Sequence, residues 1–284
     1  MSETPALMVQ GTSSNAGKSW LAAALCRIFS DRGLRVMPFK AQNMTGSAYA
    51  LPGGKRISGS QALQALAARQ EPEAAMNPVL LMPRSELGSE VVLMGESHGG
   101  MSIAAYTRFK EETAFPAVKT AYDSLAARAD IMVLEGAGSP AEINLKAHDI
   151  VNMRMAAYAG ATVLLVGDID RGGVFAHLYG TLELLPPAER DLIAGFVLNK
   201  FRGNASLLAP ALEEITRRTG KPFLGVIPYL ADCDLPQEDS LAQAEHGGSG
   251  MALTDPALDA QLDALAAHVL RHLDMPSIRI ALGI

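Results

Sequence analysis

The chain has 284 residues, 49% apolar and 19% charged, enough for a sizeable buried core in one large or two small domains. A net charge of −6 provides no basic face of the strength that nucleic acid demands, so nucleic acid is not an expected partner. No apolar run approaches membrane-spanning length, and the opening Met-Ser-Glu-Thr-Pro lacks the basic and apolar regions of a signal peptide, so a cytoplasmic protein without membrane association is expected.

The first strand signal, residues 7–10, leads into residues 11–19, Gly-Thr-Ser-Ser-Asn-Ala-Gly-Lys-Ser, and an apolar helix follows through Trp20, Leu21, Leu25 and Ile28. A strand, a small-residue loop and a helix opening on Gly-Lys-Ser make a phosphate cradle. Loop amides converge on anionic oxygens, the helix N-terminus adds its positive dipole end, and Lys18 supplies a mobile charge. Ser19 is placed to hold the magnesium that accompanies a nucleotide. Gly11, Thr12, Asn15, Ala16, Gly17, Lys18 and Ser19 are therefore the expected nucleotide contacts. The usual spacing, Gly-x4-Gly-Lys-Ser/Thr, would place a glycine at position 12, where Thr12 stands; Gly11 comes one residue early. A capped helix after a Ser-rich turn is the competing explanation, and the strand ahead of the loop argues against it.

A second strand at 35–39 ends at Lys40, whose ammonium can reach a transferring phosphoryl group from the side opposite Lys18. Residues 41–115 then break the strand–helix alternation. A loop is expected over 46–59, a helix over 60–69, and a strand at 90–94 beside the glycine-rich 95–100. This stretch reads as an insertion over the sheet's carboxyl edge, a lid or substrate wall. Its helix, mostly Ala, Leu and Gln, reads as packing.

Further strands are expected at 131–135, 162–167, 196–199 and 224–228. Continuous apolar strands joined by helical crossovers indicate an α/β fold, a mainly parallel sheet with helices on both faces. Ligands bind such sheets at the carboxyl ends of the strands. That rule gathers the 11–19 loop, Lys40, Glu135-Gly136-Ala137-Gly138, Gly167-Asp168 and Asn199-Lys200. Glu135 can hold magnesium opposite Ser19, and the small residues after it let backbone pass close to a ligand. Asp168 reads equally as a metal or substrate ligand and as the acidic start of a turn. Asn199 reads as a contact to the nucleotide base or as a turn residue.

The six histidines show no metal-site spacing, and His177 is expected on a buried helix in a structural role. Cys26 belongs to the core. Cys233 lacks the strand-to-helix elbow of a nucleophile, and no metal pair or disulfide is expected between the two cysteines. After residue 228 the pattern decays. A polar linker over 243–257 precedes one amphipathic helix over 258–273, with Leu258, Leu262, Leu265, Val269 and Leu273 on one face.

Residues 8–20, Pro38-Phe-Lys-Ala-Gln-Asn-Met44, Met76-Asn-Pro-Val-Leu-Leu81, 135–144, 149–153, 168–175 and 199–203 resemble the synthetase half of cobyric acid synthase. The similarity runs from about residue 6 to 242, and the runs at 135–144 and 168–175 are far more specific than a phosphate loop. The extra loop residue before Gly17 is shared with dethiobiotin synthetases. The resemblance implies a P-loop NTPase-like, dethiobiotin-synthetase-like fold, with residues 1–242 as the synthetase domain. It implies amidation of peripheral carboxylates of adenosylcobyrinic acid a,c-diamide, using ATP and Mg2+, to give adenosylcobyric acid in cobalamin biosynthesis. Lys18, Lys40 and Asp168 are then the catalytic candidates, Ser19 and Glu135 the metal ligands, and Asn199 a nucleotide contact.

Members of that family usually carry a glutaminase domain with a nucleophilic cysteine and a histidine–glutamate pair, which this sequence lacks. Nitrogen is then expected from free ammonia or a separate glutaminase subunit. Residues 258–284 read as the family's own C-terminal end or as the remnant of a lost glutaminase domain. Thr45-Gly-Ser-Ala-Tyr49 and Met82 depart from the family's usual pattern at expected substrate contacts. A homodimer is left open. The alternatives are a dethiobiotin-synthetase-like carboxylase, a degenerate relative that binds nucleotide without turnover, and a ParA- or MinD-like switch. The switch is disfavoured because Gln10-Gly11 stand where those proteins carry an extra lysine.

Overall fold

The computed structural model describes residues 4–85, 88–231, 233, 235 and 256–284. The chain opens with β1 (Ala6–Gly11), α1 (Lys18–Ser30) and β2 (Val36–Phe39). The insertion then contributes β3 (Gln42–Met44), β4 (Ala48–Ala50), β5 (Arg56–Ser58), α2 (Gly59–Ala67), β6 (Val79–Ser85), β7 (Gly88–Leu93), β8 (Glu96–Ser102) and α3 (Ile103–Phe109). Next come α4 (Phe115–Ala126), β9 (Ile131–Glu135), α5 (Met153–Ala159), β10 (Thr162–Asp168), α6 (Val174–Leu184) and α7 (Pro187–Arg190). The chain continues through β11 (Ile193–Phe201), α8 (Ala209–Thr219) and β12 (Phe223–Pro228) to α9 (Pro256–Leu270) and α10 (Met275–Leu282).

Six of these strands form one parallel sheet, ordered β12-β11-β10-β1-β9-β2. In a parallel sheet covered on both faces, alternate residues of each strand feed two separate cores. Met8, Leu134, Leu165 and Phe196 face the core shared with α4, α5 and α6. Leu7, Val9, Val133 and Leu164 face the other, shared with α1 and α9. β1 is central, with Val9 beside Glu135 and Gly11 beside Val166. This register opens the 11–19 loop between the ends of β9 and β10.

The closing segment differs from the single helix expected over 258–273. Helix α9 stops at Leu270, and Asp274 caps α10 by accepting the Ser277 N–H at 3.1 Å. Leu258, Leu262, Leu265, Val269 and Leu273 are buried as expected, and Met275 and Ile278 join them in the α1 core. Fully buried Arg27 fastens this segment, donating to Asp259 Oδ1 at 2.5 Å, Asp263 Oδ1 at 2.9 Å and the Leu66 carbonyl at 3.3 Å. Of the linker expected over 243–257, residues up to 255 lie outside the described residues. His177, expected to be buried, is exposed on α6.

The insertion departs further from expectation. A β4–β5 hairpin occupies part of the loop expected over 46–59, and a second sheet runs β3-β6-β7-β8. The glycine-rich 95–100 stretch passes from a turn into β8, which is exposed over most of its length. Within this sheet the Glu90 carboxylate accepts from Arg56 at 2.5 Å, from Ser97 at 2.7 Å and from Arg84. Those bonds, Arg56 first, hold its pKa down to about 2. A carboxylate depressed by folding contributes stability that is present above its unfolded pKa and lost as pH falls toward the folded value. The insertion is therefore expected to loosen as pH falls from about 4.5 towards about 2, read as faster proteolysis within residues 41–115. Glu90→Gln should flatten that dependence.

Candidate active site

The early glycine is explained by the loop's fold. The Thr12 N–H still donates to the Val166 carbonyl at 2.9 Å, so the chain stays paired to β10 past the end of β1. A Cβ on Gly11 would lie 3.0 Å from the Ser13 carbonyl oxygen and 3.1 Å from Lys18 Cδ, so glycine at 11 lets the loop fold back over the strand end. Asn15 and Gly17 both take left-handed backbone, at φ +59° and +91°. A Cβ on Gly17 would fall 2.1 Å from Asn199 Nδ2. Gly17→Ala is expected to weaken ATP binding about tenfold or more, given backbone strain of about 1–3 kcal/mol on top of that clash; calorimetric titration checks it.

Lys18 begins α1, and its Nζ curls back to donate to the carbonyls of Ser13 at 3.0 Å and Gly138 at 3.2 Å. The loop is thereby joined to the turn after β9. Glu135 ends β9 almost wholly buried, and its Oε1 accepts from Ser19 Oγ at 2.8 Å and Lys40 Nζ at 3.0 Å. Its Oε2 accepts from Gln64 Nε2 at 2.5 Å. A buried ion pair holds only when its remaining lone pairs are met by hydrogen bonds, and these donors meet them. Backbone bonds set the lysine: its N–H donates to the Met76 carbonyl at 2.9 Å, and its carbonyl accepts from Asn77 Nδ2 at 3.0 Å.

The turn after Glu135 is shaped by Asn152, which accepts the Ala137 N–H at 3.1 Å and donates to the Ala137 carbonyl at 2.8 Å. A Cβ on Gly136 would sit 2.3 Å from Asn152 Oδ1, so this close grip requires glycine. Asp149 in turn accepts the N–H groups of Val151 and Asn152 at 2.8 and 3.1 Å, which gives the 149–153 run its structural use. Cys26 lies in the core nearby. Burial, and then the charge of Glu135, push its thiol far above the ordinary value, so it stays protonated.

The residues expected at the other strand ends also arrive at the loop. Asn199 Nδ2 donates to the Ala16 carbonyl at 3.0 Å, so its side chain grips the loop backbone. Lys200, at φ +59°, donates to the Asn15 carbonyl at 2.6 Å and to Asp168 Oδ2 at 2.9 Å. Arg171 Nε stands 3.5 Å from the same oxygen, and Asp168 Oδ1 accepts the Asp170 N–H at 3.0 Å. Asp168 thus meets a lysine and a turn, while Ser19 and Glu135 meet each other. Lys200 and Gln64 are the residues that sequence reasoning underrated. The first was visible as a strand-end lysine, whereas the second carried no signal beyond its place in an Ala-Leu-Gln helix.

Ser19 Oγ and Glu135 Oε1 are hard oxygen donors set side by side, which suits Mg2+, a cation that takes one or two protein oxygens together with phosphate oxygens and water. Among the described residues no group of three His, Cys, Asp or Glu could hold a metal alone. Two cavities flank the loop. One of about 360 Å³ is lined by Asn15, Lys18, Ser19, Asn199 and Tyr229, where the Arg202 guanidinium lies 3.5 Å from the tyrosine ring centroid. The other, about 270 Å³, is lined by Ser14, Lys18, Lys40, Asn43, Met44 and Gly138, so the insertion forms part of its wall.

A helix-opening lysine and serine at the end of the central strand define a P-loop nucleotide-binding domain. The family profile CbiA, described as CobQ/CobB/MinD/ParA nucleotide binding domain, matches residues 7–242. The chain is 57% identical over 281 residues to the cobyric acid synthase of Nitratidesulfovibrio vulgaris, covering 98% of this chain and 51% of that one. It is 57% identical over 241 residues to the cobyric acid synthase of Desulforudis audaxviator, covering 85% and 48%. It is 46% identical over 281 residues to the adenosylcobalamin biosynthesis bifunctional protein CobDQ of Leptospira interrogans, covering 98% and 32%. The chain belongs to the cobyric acid synthase family. It spans about half the length of the cobyric acid synthases it matches. Among the described residues no helix is long and apolar enough to cross a membrane.

Proposed function

We propose that this chain is the synthetase part of a cobyric acid synthase, an amidoligase that uses ATP and Mg2+ to amidate peripheral carboxylates of adenosylcobyrinic acid a,c-diamide. The observation that supports this best is that Lys18 lines both cavities, with Lys40 beside it in the second. A nucleotide lying along the loop from the Asn199 side presents its terminal phosphate where the insertion-walled cavity begins. A corrinoid carboxylate entering that cavity meets the γ-phosphorus between two ammonium groups.

A carboxylate oxygen attacks the γ-phosphorus, the bond to the bridging oxygen breaks, and ADP leaves. Ammonia then adds to the carbonyl carbon of the acyl phosphate, nitrogen loses a proton, and phosphate departs with the electrons of the C–O bond. Lys18 and Lys40 place positive charge where it develops on the migrating group, the main device available in phosphoryl transfer. Magnesium held by Ser19 and Glu135 would neutralise charge on the nucleotide phosphates. Asp168 acts through Lys200 to brace the loop, and Asn199 acts on the same backbone. Nitrogen enters as ammonia.

The test is incubation with ATP, magnesium and adenosylcobyrinic acid a,c-diamide, with ammonium or glutamine as nitrogen source, followed by mass spectrometry. ATP-dependent exchange of hydroxyl for amino groups on the corrinoid is expected with ammonium. ATP turnover independent of corrinoid, with no change in its mass, would overturn the reading.

A further inference from the structure

The second oxygen of Glu135 is served by the insertion. Gln64, on α2 and fully buried, donates its Nε2 to Glu135 Oε2 at 2.5 Å and also faces the Ser19 carbonyl at 3.5 Å. Its own Oε1 accepts from Gln61 Nε2 at 2.6 Å. Gln61 is three residues earlier, on the same helix face, equally buried, and its Oε1 has no hydrogen-bond partner among the described residues. Packing accounts for Leu63 and Ala67, which join the core around α1. It does not account for two buried amides in series that end on a carboxylate.

The order of the chain fixes its direction. With Gln64 Oε1 occupied by Gln61, only its Nε2 faces the carboxylate; the flipped amide would set oxygen against oxygen. The carboxylate is then held at both ends, with Oε1 turned toward Ser19 and Oε2 toward Gln64. The same helix is registered to Lys40. Ser58 caps α2 by accepting the Gln61 N–H, its own N–H donates to Asn77 Oδ1 at 3.0 Å, and Asn77 bonds the Lys40 carbonyl.

We propose that Gln64 is a positioning residue for Glu135, oriented by Gln61, so that metal affinity at Ser19 and Glu135 is set by the helix of the insertion. This rests on the reading of Glu135 as a metal ligand. Partners that orient a metal ligand are worth about 10–100-fold in affinity when removed.

The experiment uses the full chain carrying Gln64→Leu, Gln61→Leu or Glu135→Gln. Mn2+ binding is followed by electron paramagnetic resonance with a non-hydrolysable ATP analogue, alongside metal-free analogue affinity and the thermal midpoint. Gln64→Leu is expected to weaken Mn2+ binding about 10–100-fold with metal-free analogue affinity unchanged. Gln61→Leu should shift it in the same direction by less, because Gln64 keeps its bond to Glu135 and loses only the amide that orients it. A merely structural Gln64 would lower the thermal midpoint and leave Mn2+ affinity alone. That outcome, with Glu135→Gln still weakening Mn2+, overturns the proposal. Glu135→Gln without effect overturns the metal-site reading beneath it. If Gln64→Leu does not fold, Gln61→Leu decides, and unchanged Mn2+ affinity there counts against the proposal.

Discussion

Lys18→Ala is expected to lower ATP turnover by about 100-fold or more, the cost of losing one preorganised charge at a phosphoryl or oxyanion centre. Its thermal midpoint should move little. The bonds that Lys18 donates to the Ser13 and Gly138 carbonyls run to partly exposed residues, so water can take over those acceptors. Lys40→Ala makes the informative contrast. Its ammonium is paired with Glu135 inside the protein, with side-chain exposures of 2% and 0%, so its loss strands a buried carboxylate. Turnover and stability should fall together in that variant, and turnover alone in Lys18→Ala. Steady-state kinetics beside thermal unfolding separates the two. Near-normal turnover in Lys18→Ala would remove the loop from the chemistry.

The second large effect concerns stability. Asp259→Ala combined with Asp263→Ala should cost about 3 kcal/mol, the lower end of the range for breaking a buried pair from one side. The aspartates are about half exposed, while the Arg27 side chain they hold is 0% exposed. The loss therefore falls on a guanidinium left in the core with the Leu66 carbonyl. Adding Arg27→Met to the pair should recover most of the loss, because a buried ion pair exchanged for apolar packing is often neutral. Arg27 holds the Asp259 carboxyl below its ordinary value, so this contribution stands at neutral pH and fades as pH falls through the carboxylate range. Denaturant midpoints of the parent, the double variant and the triple variant provide the measure. An unchanged midpoint in the double variant would mean that the Arg27 ion pairs contribute nothing to holding α9 against α1.

The main sheet was legible because its strands are continuous apolar runs buried on both faces. The segment expected at 131–135 coincides with β9, and the expected 7–10 and 162–167 fall one residue short of β1 and β10 at one or both ends. The carboxyl-end rule then brought the loop, Lys40, Glu135, Asp168 and Asn199 to one place without any contact being visible. What it could not assign was partnership. Asp168 and Glu135 both end buried strands, and their partners distinguish them: Lys200, Arg171 and the Asp170 N–H for the first, Lys40, Ser19 and Gln64 for the second. The insertion was poorly legible for the opposite reason. β3, β4 and β5 are three residues each, and β8 is exposed and glycine-bearing, so neither periodicity nor apolar content marks them. Gln64 was hidden because a glutamine in a helix reads as surface or packing until the fold turns it toward a carboxylate.

Oxygen tracing tests the phosphoryl-transfer reading most directly. Corrinoid substrate labelled with 18O in its peripheral carboxylates is incubated with the chain, ATP, magnesium and ammonium, and the released phosphate is analysed. Attack of the carboxylate on the γ-phosphorus predicts one 18O in phosphate for each amide formed. Amide formation with unlabelled phosphate would contradict it.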